Sequence, residues 1–196
     1  MYNDILKIIV ISLILYTPSV FALDVSEMEQ LKPGTQLKVP VIDAGNERTE
    51  NIKLDSIGVF VDSDGSSWYR LDGNFSGGQA ITFFLEMSKL SRKADLVIRK
   101  LKLDDLGIQP KRIWKIDKEG EGEVEFDNKR YQYNKEESDD AKFTAGSPGA
   151  TPRSMSYYGF NMLNDEKSSL LILEWGDDDF EIYQTRQMDL DKITLQ

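Results

Sequence analysis

From Leu31 onward, apolar and polar residues alternate in short runs, and turn residues separate the runs. After Lys32-Pro33-Gly34, residues 35–42 put Leu37, Val39 and Val41 on one side of a strand. A polar loop is expected over 43–50, then a strand through Ile52, Leu54 and 57–61 in which Gly58 marks a bulge. Asp62-Ser63-Asp64-Gly65 is a hairpin turn, because Asp-Gly accepts the positive φ such turns demand. Strands follow at 67–71 and 81–85, with a turn region over 73–78 between them. Residues 86–107 fit two periods, and are read as a strand over 95–103 with a helical turn at 104–107. The second half repeats the rhythm, with a strand over 112–117 and a hairpin of 124–127 with 130–134 closed at Asn128-Lys129. Further strands are expected at 142–145, 157–162, 170–175 and 180–184, with a loop over 146–152 and a closing strand or short helix over 188–195. Strands this closely spaced predict a mainly β chain, an antiparallel sandwich or open barrel with at most one or two short helices.

The N-terminus breaks this rhythm. Residues 8–16 are almost unbroken apolar sequence behind Lys7, followed by Pro18 and the small-residue junction Val20-Phe21-Ala22. That three-part pattern predicts a signal peptide over 1–22, cleaved between Ala22 and Leu23. The apolar run falls short of the ~20 residues a spanning helix needs, so no integral membrane segment is expected after cleavage. The mature region, 23–196, reads as one β-rich domain, with two lobes at about 31–107 and 110–196 as a possible division. A periplasmic or secreted location follows from the same pattern.

Charge and inventory then narrow the chemistry. With 34 acids against 24 bases the chain carries a net charge of −10, which repels phosphate backbones and argues against nucleic-acid partners. There is no histidine and no cysteine. Ser-His-Asp catalysis, thiol nucleophiles, disulfides, and His- or Cys-ligated metal sites are therefore unavailable. No phosphate-cradling glycine motif occurs, and no cofactor or metal site is expected. Carboxylates remain, and two of them suffice for glycoside hydrolysis. Among 34 acids a close pair arises by chance, so the chain is read as a non-enzyme, with a carboxylate-dependent glycan hydrolase as the alternative.

Two groups of residues stand out as contact candidates. Asp177, Asp178 and Asp179 form an acidic turn, a possible contact for a basic surface. Trp68, Trp114 and Trp175 sit on expected strands and could offer rings to a ligand, although aromatics also fill β cores.

Tyr157-Tyr158-Gly159-Phe160, the run LLILEWGDDDFEIY over 170–183, and Asp189-Leu190-Asp191-Lys192-Ile193 resemble the ending of a bacterial family of unknown function typified by YjfK. The segment DKEGEGEVEFDNKRYQY over 117–133 is similar in style. The resemblance implies a β-rich fold and a link to envelope-stress or membrane-maintenance systems, and it carries over no catalytic residue. Members of that family are largely cytoplasmic, whereas this chain has an export pattern. The expectation is an exported accessory or binding protein whose partner is an envelope protein or a small ligand.

Overall fold

A computed structural model describes residues 27, 30–43, 46–87, 92–146, 149–176 and 179–196. The expected signal segment with Ala22 and Leu23 lies outside the described residues, as do Asp177 and Asp178. The elements are β1 (Gln36–Asp43), β2 (Asn46–Asp62), β3 (Ser67–Phe75), β4 (Ala80–Met87), β5 (Arg92–Leu101), a 3-10 turn (Leu103–Leu106) and α1 (Pro110–Glu119). They continue with β6 (Glu123–Phe126), β7 (Lys129–Ala145), β8 (Arg153–Met162), β9 (Ser168–Glu174), β10 (Phe180–Met188), a second 3-10 turn (Leu190–Lys192) and β11 (Thr194–Leu195).

The chain is mainly β, as expected, in one antiparallel sheet ordered β11-β1-β2-β3-β4-β5-β10-β9-β8-β7-β6. A further pairing of β2 with β7, from Gly58↔Ala145 to Asp62↔Ala141, curls the sheet into a ring. Eight strands, β2 to β5 and β7 to β10, make up the closed circuit, while β1, β11 and β6 extend beyond it. Closure satisfies the strand edges that an open sheet would leave unpaired.

Alternation gives each ring strand two apolar faces. One face from all eight strands meets inside the ring, around Phe60, Trp68, Phe84, Leu173 and Tyr183, with Val97, Met155 and Ala141 beside them. The other faces form two outer cores. The first joins β1 to β5 with Met188, Leu190 and Ile193; the second joins the C-terminal strands with Ile113 and Ile116 of α1. An odd number of extra residues in a strand flips the side-chain parity and so exchanges which residues face outward, as β5 needs in passing from the first outer core (Ala94, Leu96) to the second (Leu101). In β2 the extra residue is Asp55, since Leu54 pairs with Gly73 and Ser56 with Asp72. In β5 it is Ile98, since Val97 pairs with Thr185 and Arg99 with Gln184. In β7 three residues, 135–137, bulge between Asn134↔Gly159 and Ser138↔Tyr158.

Several sequence expectations are corrected. Residues 112–117 are helical, within α1: Pro110 opens the helix, Gly120 caps it at φ 72°, and Ile113 and Ile116 bury one face. The expected loop 43–50 is mostly strand, with Val39↔Glu50 and Val41↔Arg48 in register. The first bulge is at Asp55, and Gly58 serves another purpose: a Cβ there would lie 2.1 Å from the Phe143 ring of β7. The β6–β7 hairpin closes one residue early, at Asp127-Asn128, both with positive φ (56° and 57°).

At Gly73 β3 runs close against β2, and an added Cβ would sit 2.5 Å from the Lys53 carbonyl oxygen. Backbone cannot yield as a side-chain tip can, so Gly73→Ala is expected to destabilise the protein by about 1–3 kcal/mol in urea unfolding. An unchanged midpoint would contradict this approach distance.

Candidate functional site

One end of the ring opens into a cavity of about 390 Å³. Its inner wall is apolar and aromatic, from Trp68, Phe84, Tyr157 and Leu171, and its rim is acidic. Seven carboxylates and two lysines line it, so the excess is strongly negative. The acids come from three directions: Asp62 and Asp64 from the end of β2 and the turn after it, Glu86 and Asp95 from β4 and β5, and Glu136, Glu137 and Asp139 from the β7 bulge and the strand just beyond it.

The bulge is held by its own chemistry. Ser138 Oγ donates to the Asn134 carbonyl at 2.7 Å and accepts from the Gly159 amide at 3.0 Å. Gly159 is required beneath it, because a Cβ would lie 2.7 Å from the Glu137 carbonyl oxygen. The bulge thereby carries Glu137 to the mouth, where it meets Lys93 Nζ of β5 at 2.5 Å.

The rim acids differ in how they are satisfied. Asp62 accepts from Trp68 Nε1 at 2.8 Å and from Ser66 Oγ at 3.2 Å. Burial nonetheless raises its pKa against those bonds. Asp139 accepts from Ser63 Oγ at 2.6 Å, and Asp64 from Ser66 Oγ at 2.6 Å. Asp95 receives no hydrogen bond among the described residues. Burial first, then the Glu137 charge, push its carboxyl up to about 6, with Lys93 opposing and Glu86 adding to the shift. Tyr157 is pushed up by burial and by the neighbouring Asp62 carboxylate, so it stays a neutral phenol.

The ring's other end has the opposite character, because its charges cancel. Arg70 holds Asp72 at 3.0 Å and Glu181 at 2.8 Å, and Lys100 reaches Glu181 at 2.9 Å. Burial opposes ionisation of Glu181, but the Lys100 hydrogen bond and the Arg70 charge outweigh it and hold its pKa at about 2. A broader outer groove of about 790 Å³ gathers Arg48, Arg99 and Arg186 beside Arg70 and Lys100. Arg48 is paired with Glu50, Arg186 with Asp165, and Arg99 lies over the Phe126 ring. The cavity mouth is where charge remains unmatched.

The contact candidates are dispersed. Trp68 lines the cavity, buried and stacked on Phe60 at 3.7 Å. Trp175 stands near the far end of the ring with Arg153 over its ring at 5.1 Å and its indole N–H on Glu181 at 3.2 Å. Trp114 is on α1, 39% exposed, and donates to Glu174 at 3.0 Å. The three tryptophans do not share a surface. Asp179, in the β9–β10 turn, is exposed and meets Arg153 at 3.4 Å, away from the cavity. Lys93, Asp95, Glu137 and Tyr157 were not singled out as site residues from sequence. For Glu137 the local signal is the polar run KEESDD at 135–140 between two apolar alternations.

Among the described residues no three carboxylates converge in a way that could hold a metal ion. Nor is any helix long and apolar enough to cross a membrane. The fold and mouth define a closed antiparallel ring with a ligand-sized acidic cavity at one end. Comparison with protein-family models, curated proteins and solved structures finds no match.

Proposed function

We propose that this chain is an exported, non-enzymatic binding protein of the cell envelope that receives a small ligand in the acidic mouth. The observation that carries this is the cavity itself, an aromatic floor under an unmatched acidic rim, at a size within the range of small-molecule sites. Eight-stranded rings leave an interior that side chains fill or that admits one small ligand. Here aromatics fill the middle and the cavity occupies one end. Export is supported by the N-terminal pattern ending at Ala22. Tryptophan emission tests the site, because Trp68 alone of the three tryptophans lines the cavity. In a Trp114→Phe/Trp175→Phe protein, a ligand recovered from envelope extract should change Trp68 emission. A bound ligand that leaves this emission unchanged would place binding elsewhere.

One observation favours a second reading, a carboxylate-dependent glycan hydrolase. A carboxyl with pKa raised to about 6 in a cleft, as Asp95 has, is what a general acid requires. Release of soluble glycan from purified envelope material by the wild type, lost in Asp95→Asn, would replace the binding reading with this one.

A further inference from the structure

Going around the ring, β5 and β7 are separated by three strands in either direction, β4-β3-β2 one way and β10-β9-β8 the other. The Lys93–Glu137 ion pair therefore spans the mouth from side to side, and does not join neighbouring strands. Lys93 is thus an ammonium group held by carboxylate within the cavity lining, with Glu86 and Asp95 contributing to its electrostatic surroundings. Its own pKa is raised: burial opposes the charge, but Glu137 and these two acids outweigh it. The second lysine of the lining, Lys135, is engaged elsewhere, with Asp117 at 2.9 Å.

One tethered ammonium does not balance the rim. Asp62, Asp64 and Asp139 are satisfied by neutral indole and hydroxyl donors, and Asp95 by no hydrogen bond at all among the described residues. The unmet demand is for further positive donors near Asp95 and Glu137. A bare metal ion does not suit it, since among the described residues no group of three acids converges. The wall below is Trp68, Phe84, Tyr157 and Leu171, which suits methylene groups and the aromatic contacts that ammonium centres favour.

We propose that the mouth binds small aliphatic polyamines, and that the Lys93 ammonium is a resident substitute which the ligand displaces from Glu137. This rests on the mouth being a ligand site, as proposed above. The ligand's ammonium groups take the carboxylates from opposite sides of the mouth, and its methylenes lie on the aromatic wall. Displacement of Lys93 makes the affinity lower than the acidity of the rim alone would give, and makes it adjustable at one residue.

Calorimetric titration with spermidine tests this. Lys93→Met should tighten spermidine binding about tenfold, because the competitor is gone and Glu137 is free. Lys135→Met removes the same charge from the same lining without freeing Glu137, and should change affinity far less. Asp95→Asn and Glu137→Gln should each weaken binding about tenfold. Equal effects of Lys93→Met and Lys135→Met would overturn the displacement, leaving only a general charge effect. Spermidine binding indifferent to Asp95→Asn and Glu137→Gln would overturn the site. Neutral tetra-N-acetylchitotetraose titrated in parallel separates the two levels. If it changes Trp68 emission and spermidine does not bind, the mouth remains a ligand site and the polyamine class is wrong. If neither probe binds, the polyamine proposal fails, and the mouth must be judged by the extract-derived ligand.

Discussion

Phe60→Ala should lower the unfolding free energy by about 3–5 kcal/mol, the range for emptying a buried aromatic position. Phe60 is fully buried, stacks on Trp68 at 3.7 Å with planes 9° apart, and lies 4.7 Å from Phe143 and 6.2 Å from Trp175. It pairs with Phe143 across the β2–β7 seam, so its ring packs on the contact that closes the circuit. Truncation removes apolar contacts from four aromatic neighbours at once, and the stacked geometry adds to the loss. A domain of ordinary stability, about 5–15 kcal/mol, would lose a large share of it. Urea unfolding followed by tryptophan fluorescence reads the effect. Trp114→Phe, at an exposed helical position, serves as the comparison and should shift the midpoint little. A loss for Phe60→Ala below about 1 kcal/mol would mean that the ring is not closed around this residue.

The fold class was legible because most strands alternate and their turns use residues that accept positive φ, as at Gly65 and Asn128. The strand before Leu101 and the 3-10 turn at Leu103–Leu106 were legible for the same reason, with Gly107 at φ 62° as the stop. Helix α1 was misread because its buried pair, Ile113 and Ile116, with Trp114 between, fits a short strand nearly as well. Pro110 and Gly120 held the better signal, since they mark the start and stop of a helix at the right separation. The bulges at Asp55, Ile98 and 135–137 could not be placed, because each is defined by a partner strand distant in sequence. The site was hidden for that reason too. Lys93, Asp95, Glu137 and Tyr157 are ordinary strand residues until ring closure brings β5, β7 and β8 to one mouth. The acidic run at 135–140 lies within a strand whose bulge turns carboxylates toward a cavity.

Asp95 supplies the second large effect, and its sign is opposite to that of most carboxylates. Its folded pKa of about 6 lies above the ordinary carboxyl value of 3.8, so between these values the folded protein holds more protons than the unfolded chain. Stability from this group is fully present below the unfolded pKa and is lost as pH rises through about 6. The loss reaches at most about 3 kcal/mol, one pKa unit being worth about 1.4. Glu181 acts in a separate window: its pKa is held at about 2 against 4.5, so its contribution is present at neutral pH and lost only in strong acid. Asp95→Asn removes a charge that Glu86 and Glu137 repel and Lys93 only partly offsets. The variant should match the wild type at pH 4 and exceed its stability by up to about 3 kcal/mol at pH 8, measured by urea unfolding across that range. A variant less stable than the wild type at pH 8 would show that the carboxylate has a stabilising partner in solution. A gain in stability coupled to weaker spermidine binding would mean that the mouth keeps an unfavourable charge because the ligand uses it.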